Sequence, residues 1–185
     1  MHEVKRIVDR VKDCKKCRLS DSRNNTVPGE GDGDADIMLV GEGPGKNEDI
    51  EGRPFVGRAG EILDKLLDSV GLDRNEIYIT NIVKCRPPEN RNPRKDEIET
   101  CTPYLDEQIS IIEPDVISPL GSFATAYILD KYDLDKGKIS EVHGKTFSSE
   151  NLKIYPQYHP AAAIYDPSKM EVLKKDFEIL GDVQP

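Results

Sequence analysis

Four short apolar runs alternate with segments in which apolar residues recur at helical spacing. The apolar runs cover residues 35–42, 76–85, 114–121 and 151–160. The segments with helical spacing cover residues 59–71, 94–113, 121–132 and 166–180. Strands that alternate with helices predict an α/β fold with a parallel sheet covered by helices on both faces. Ligands of such sheets bind beyond the carboxyl ends of the strands.

A glycine-rich segment with carboxylates follows the first apolar run and reads GEGPGKNED. It lacks the G-x-x-x-x-G-K-[ST] pattern of a phosphate-binding loop, and the carboxylates of Glu42 and Glu48 would repel a phosphate. Because glycines let a ligand approach the backbone closely, we expect a neutral, planar ligand here. Either glutamate could orient a water molecule or stabilise a positive charge, or could simply be a solvated loop carboxylate.

Three further side chains are candidates for this ligand edge of the sheet. Phe55, between two polar turns, could stack on a flat ligand or cover the sheet edge. Asn81 lies inside an apolar run, where its amide needs partners in the backbone or in a ligand. His159 directly follows the fourth run and is either a ligand contact or a structural histidine.

Length and composition favour one globular domain over residues 1–185, without a repeat or a long linker. No apolar run approaches the roughly 18 residues that span a membrane. Residues 1–14 have an amphipathic helical pattern and lack the apolar block of a signal peptide. We therefore expect a cytoplasmic protein.

The charge of the chain is unevenly distributed. A formal net charge of −9 argues against a surface uniformly suited to nucleic acid. Residues 84–95, the basic segment, depart from this trend, because Glu89 is their one acidic residue. The basic residues of this segment are Lys84, Arg86, Arg91, Arg94 and Lys95. The segment is either a solvated loop or a positive face for a polyanion.

All four cysteines of the chain fit one metal-binding pattern. Cys14 and Cys17 form a C-x2-C pair, and Cys85 and Cys101 follow after a long gap. Disulfides are improbable in a reducing compartment. Four thiolates suit zinc or an iron–sulfur cluster, and the spacing alone leaves both open, together with four unrelated buried thiols.

Three stretches together resemble the motifs of family 4 uracil-DNA glycosylases, the iron–sulfur branch of that superfamily. They are GEGPGKNEDIEGRPFVGRAG, TNIVKCRPPENRNP and YHPAAAI. The cysteine spacing is similar to the pattern of the family, and the resemblance extends from Cys14 to the last helical segment. It implies a three-layer α/β/α fold around a central four-stranded parallel sheet.

The resemblance also implies the activity of a monofunctional DNA repair hydrolase. Such an enzyme flips uracil out of single- or double-stranded DNA and hydrolyses its N-glycosidic bond, which leaves an abasic site for base excision repair. It implies that Phe55 stacks on the flipped uracil and that Asn81 reads its edge. His159 would bind the carbonyl beside the broken bond.

The same resemblance assigns the remaining candidates. Glu42 and Glu48 match the motif carboxylates, and the backbone near Glu42 and Gly43 would line the base pocket. Better-known superfamily members have an aspartate where Gly43 falls, so water must be activated differently here. The 4Fe–4S ligands would be Cys14, Cys17, Cys85 and Cys101. Since the basic segment supplies a positive face, we expect DNA contacts from Arg86, Arg91, Arg94 and Lys95, and we expect a monomer.

Two other functions compete with this interpretation. A related branch traps the abasic sugar covalently through a histidine in the loop after Cys85, but the segment RPPENRNPRKDE contains no histidine. A non-enzymatic lesion sensor or iron–sulfur electron carrier would suit the acidic composition. That function would leave Asn81, His159 and the two glutamates without a role.

Overall fold

The computed structural model describes residues 2–182. The helices in this range are α1 (His2–Lys12), α2 (Lys46–Glu51), α3 (Arg58–Ser69), α4 (Lys95–Ile112), α5 (Ser122–Lys131), α6 (Ile139–Val142), α7 (Ala162–Tyr165) and α8 (Lys169–Gly181). The strands are β1 (Glu30–Gly31), β2 (Ile37–Gly41), β3 (Tyr78–Asn81), β4 (Val116–Pro119), β5 (Phe147–Ser149) and β6 (Leu152–Ile154). Short 3₁₀ turns cover Arg18–Asp21 and Pro88–Asn90.

The strands form one sheet in the order β1-β3-β2-β4-β6-β5. The four inner strands are parallel, whereas the edge strands β1 and β5 pair antiparallel with their neighbours. In the sheet, β3 lies on one side of β2, and the chain then crosses over to β4 on the other side of β2. The strand order therefore reverses between β2 and β4, which is where α/β sheets open a crevice at their carboxyl ends.

Helices cover both faces of this sheet, as the alternation of strands and helices predicts. On one face α1, α4 and α5 pack on Met38, Val40 and Ile117. On the other face α3, α7 and α8 pack on Ile37, Leu39 and Ile79. Neighbouring residues of β2 thus enter opposite cores, and its five residues are all buried.

The four-stranded parallel core and the α/β/α layering confirm the fold expected from the resemblance. The sequence does not predict the edge strands β1 and β5, because two or three residues are too short to show a strand pattern. The amphipathic N-terminal pattern is confirmed as α1, with Val4, Ile7 and Val11 buried. Among residues 2–182, no helix combines the length and apolarity needed to cross a membrane.

Candidate active site

The residues that follow the parallel strands meet around one cavity of about 570 Å³. Glu42 directly follows β2, Asn81 ends β3 and His159 follows β6. The cavity is lined by Glu42, Gly43, Gly45, Glu48, Phe55, Ala59, Asn81, Asn90, Asn92, His159, Ala161, Ala162 and Tyr165. The structure therefore brings together all the residues that the sequence analysis predicts for catalysis and for base binding.

Gly41 makes room for two of these side chains. It pairs with Asn81 in the sheet, and a Cβ at this position would collide with Oδ1 of Asn81 and lie 2.8 Å from Cζ of Phe55. Asn81 is only 2% exposed. Its main-chain oxygen accepts a hydrogen bond from Lys84, but among residues 2–182 its side-chain amide has no partner. A nearly buried amide without a protein partner is suited to a ligand.

His159 is held as a neutral hydrogen-bond donor. Its ring stacks against that of Phe55, with the centroids 5.5 Å apart. Its Nδ1 accepts a hydrogen bond from the Ala161 N–H at 3.1 Å. Desolvation lowers the pKa of His159 to about 4, and the nearby Glu48 carboxylate opposes only part of this shift. Because Nδ1 is an acceptor, the one proton of the neutral ring lies on Nε2.

The two motif glutamates are held differently. Oε1 of Glu48 accepts hydrogen bonds from the N–H groups of Val56 and Gly57, both at 2.9 Å, just before α3 begins. No backbone donor within residues 2–182 binds the Glu42 carboxylate in this way, and burial raises the pKa of Glu42. Glu48 is therefore fixed by two backbone hydrogen bonds, whereas burial favours the protonated form of Glu42.

Known proteins match this chain over almost its full length. The family described as the uracil DNA glycosylase superfamily matches residues 28–180. The type-4 uracil-DNA glycosylase of Sulfurisphaera tokodaii is 48% identical, over 99% of this chain and 86% of that protein. The type-4 enzyme of Archaeoglobus fulgidus is 43% identical, over 99% and 94%. The chain belongs to the type-4 uracil-DNA glycosylases.

This membership confirms the family that the three motifs indicated. A type-5 uracil-DNA glycosylase of Pyrobaculum aerophilum is also similar, but it is only 29% identical, over 79% of this chain. The identity to these two type-4 enzymes is thus higher than the identity to this type-5 enzyme.

The basic segment of this family member forms one wall of the cavity through Asn90 and Asn92. Lys84 does not belong to its surface. The side chain is 1% exposed, and its Nζ donates to Oγ1 of Thr80 (2.6 Å), the main-chain oxygen of Asn81 (2.8 Å) and Oε1 of Gln108 (2.7 Å). The expectation that Lys84 contributes to a positive face is wrong, because all three of its protons are used inside the protein.

The other cations of the segment differ in how firmly they are held. Arg91 donates two hydrogen bonds, of 2.9 and 2.6 Å, to the fully buried carboxylate of Glu97. Arg86 donates from Nε to Oδ1 of Asn90 at 2.7 Å. Arg94 and Lys95 are exposed where α4 begins. Arg91 thus braces the segment, whereas Arg94 and Lys95 point their charge at solvent.

The four cysteines line one small cavity beside α1 and α4. The Arg23 guanidinium donates to Sγ of Cys85 at 3.0 Å, and the Lys84 N–H donates to Sγ of Cys101 at 3.2 Å. Within residues 2–182, no three His, Cys, Asp or Glu side chains are arranged around a point that would hold a single metal ion. The thiols surround a space, and two of them already receive hydrogen bonds that suit thiolates.

The structure adds lining residues that sequence reasoning did not nominate. Asn90 and Asn92 come from a turn whose path the sequence does not specify. Tyr165 is 87% exposed at the cavity, and no periodicity marks it. Gly41 could have been found, because a glycine at the end of a buried strand often indicates close approach of a neighbour.

Proposed function

We propose that this chain removes uracil from DNA by hydrolysing its N-glycosidic bond, which leaves an abasic site for base excision repair. The observation that supports this most is the single cavity shared by Asn81, Phe55 and His159, in a chain of the type-4 family. A glycosylase must extrude its target base from the duplex, at a cost of roughly a few kcal/mol. The partly enclosed cavity at the edge of the sheet is suited to receive such a base.

Asn81 is the proposed reader of the base. Uracil presents an N3–H donor next to an O4 acceptor, and an asparagine amide offers the complementary acceptor and donor. Cytosine presents the opposite pair, so an amide held in one orientation discriminates against it. Oδ1 of Asn81 lies beside Gly41, and the ring of Phe55 lies on the same glycine, where it can stack on the flat base.

His159 is the proposed donor to the departing base. When the bond between N1 and C1′ breaks, its electron pair stays on uracil, and negative charge develops on the carbonyl beside it. The neutral imidazole can donate Nε2–H to this oxygen, since Nδ1 is already an acceptor for Ala161 N–H. A donor fixed before the reaction stabilises this charge without reorganisation.

The two glutamates then have separate roles. Glu42, whose pKa is raised by burial, is the proposed base that takes a proton from the water attacking C1′. Glu48, tied to the N–H groups of Val56 and Gly57, contributes a fixed negative charge that offsets the positive charge of the sugar. The same bonds hold the turn that carries Phe55.

DNA would lie across the basic segment, which borders the cavity. Arg86, Arg94 and Lys95 are the proposed phosphate contacts, and Arg91 supports them by holding Glu97. Tyr165 stands exposed at the same cavity. A protein of this design needs no second copy to complete the site, and we propose that it acts as a monomer.

Cys14, Cys17, Cys85 and Cys101 are the proposed ligands of a 4Fe–4S cluster. All four thiols line one small cavity, and in a 4Fe–4S cluster each iron takes one thiolate. Burial raises the pKa of the Cys101 thiol to about 11, and a bound metal would favour its thiolate form. A cluster held by these thiolates would link the turn after α1, α4 and the start of the basic segment.

The activity is tested with an oligonucleotide that contains one uracil, followed by alkali to cleave abasic sites. We expect cleavage at the uracil, and no protein–DNA adduct that survives denaturation. A stable adduct would indicate the covalent trapping reaction, and intact DNA would indicate a non-enzymatic protein. Iron and sulfide analysis of anaerobically purified protein tests the cluster, which zinc without sulfide would exclude.

A further inference from the structure

The ring that is proposed to stack on uracil is carried by a strained turn. Phe55 has a φ of 51° and its side chain is 6% exposed. The left-handed conformation costs a non-glycine residue roughly 1–2 kcal/mol. A Cβ at Gly60 would collide with the carbonyl of Phe55, so α3 also packs closely against this turn. Such a conformation persists only where its surroundings hold it.

Arg74, in the loop before β3, holds the two carbonyls of this turn. Its Nη2 donates to the oxygen of Pro54 at 2.7 Å, and its Nη1 donates to the oxygen of Phe55 at 2.9 Å. The guanidinium is in turn oriented by Glu30 at 2.9 Å and by Asp64 at 2.8 Å. A planar fork with several donors can satisfy four oxygens at once, whereas a lysine ammonium cannot reproduce this geometry.

The turn is therefore held from two directions. Arg74 binds its carbonyl groups, and Glu48 binds the N–H groups that follow at Val56 and Gly57. Arg74 itself does not line the cavity that contains Phe55. Its contact with the cavity therefore runs through the turn that carries Phe55.

We propose that Arg74 is a positioning residue for uracil excision, which sets the place of the Phe55 ring over the base. The inference rests on the proposed function. It states that this function also depends on Arg74, a residue outside the cavity. A displaced ring stacks less well on a base that Asn81 holds at its edge. A misplacement of about 1 Å can cost about 10²-fold in rate.

The test compares Arg74→Lys with Arg53→Lys in single-turnover excision of uracil. Arg53 is a matched control, because it also pairs with Glu30, at 2.7 Å, but its side chain is 60% exposed and none of its hydrogen bonds reaches the carbonyls of the turn. We expect a loss of about tenfold or more for Arg74→Lys and little change for Arg53→Lys. Affinity for product DNA with an abasic site, which has no base to stack, should be unchanged in both.

A double-mutant cycle with Phe55→Leu separates positioning from general support of the fold. If Arg74 acts through the ring, Arg74→Lys should cause less than about a twofold further loss once the ring is absent. Equal losses in both backgrounds would overturn the proposal. Should Arg74→Lys fail to fold, Asp64→Asn removes one orienting carboxylate and should show a smaller loss with the same dependence on Phe55.

The outcomes also distinguish this inference from the proposed function. A parent protein that does not excise uracil overturns both. A parent that excises uracil, with an Arg74→Lys variant as fast as the parent, overturns only the role of Arg74. A loss of rate that disappears in the Phe55→Leu background supports the role.

Discussion

The two sides of β3 both carry buried polar groups. Those on one side are hydrogen-bonded within residues 2–182, and the amide on the other side is not. On the side of α4, Lys84 donates to Thr80 and Gln108, and Gln108 donates to the hydroxyl of Tyr78 at 3.0 Å and to the oxygen of Pro28 at 2.8 Å. These residues form the α4-side network. On the cavity side, among residues 2–182, the amide of Asn81 has no partner.

This contrast distinguishes polar residues that stabilise the fold from polar residues that can bind a ligand, within one strand. A buried polar group costs stability unless it is hydrogen-bonded. The α4-side network meets this requirement inside the protein, and so its residues need no ligand. The cavity side leaves a donor and an acceptor at Asn81 and a donor at His159, which a base can satisfy. Thr80 and Asn81 are neighbours in sequence, but β3 directs them to opposite sides.

Among the substitutions that test this contrast, we expect the largest loss of excision rate at Asn81. Asn81→Asp replaces the donor to uracil O4 with a carboxylate, and two contacts worth about 1–3 kcal/mol each are disturbed. We expect uracil excision to fall by about 10²–10⁴-fold. A trace of cytosine excision should appear if the acid accepts from the amino group. Single-turnover rates on uracil- and cytosine-containing strands measure both, and a variant as fast as the parent on uracil would exclude Asn81 as the reader.

The next effect concerns the donor at His159. His159→Ala removes a hydrogen bond that forms fully only in the transition state. We expect the single-turnover rate to fall by about 10²–10³-fold, with little change in affinity for DNA. Parallel losses of affinity and rate would instead assign His159 a structural role.

Burial of His159 also predicts a pH dependence of stability. Its pKa is lowered to about 4 in the folded protein, below the usual value of about 6.5 in an unfolded chain. Between these values the unfolded chain binds a proton that the folded protein does not, so the folded protein loses stability as the pH falls. The loss should reach about 3 kcal/mol at pH 4. Denaturation of the parent and of His159→Asn across this range measures it, because the variant should lose less; equal losses would contradict the shift.

The sequence predicts the location of the cavity better than it predicts the network. Continuous apolar runs mark buried parallel strands, and the carboxyl-end rule then places Glu42, Asn81 and His159 together. Lys84 gives no comparable signal, since a lysine beside arginines is usually a surface residue. Its partner Gln108 lies on another element, and only the packing of α4 on the sheet brings the two together.

On the network side, Lys84→Met should destabilise β3 without removing a cavity residue. The substitution leaves oxygens of Thr80, Asn81 and Gln108 without their shared donor. Relief of the buried charge offsets part of this, so we expect a net loss of about 1–3 kcal/mol. Native-state hydrogen exchange of the β3 amides measures the loss. Lys95→Met, at a side chain that is 91% exposed, is the control, and equal exchange in both variants would mean that the network is not structural.

The smallest effect extends the same contrast to the basic segment, in which Arg91 is paired internally and Arg94 and Lys95 face solvent. Within the described part of the chain, Lys95 has only an exposed contact with Glu99 at 3.6 Å, which competes weakly with a phosphate. Replacing Arg94 and Lys95 together with glutamine should weaken binding to all sequences about equally. It should also flatten the slope of log affinity against log salt by up to about 0.9 for each lost contact on duplex DNA.

Arg91→Gln should change this slope less and lower the stability more, since it leaves the buried Glu97 carboxylate without its bidentate partner. An unchanged slope in the double variant would show that these exposed charges are only solvated, and that DNA contacts the protein elsewhere.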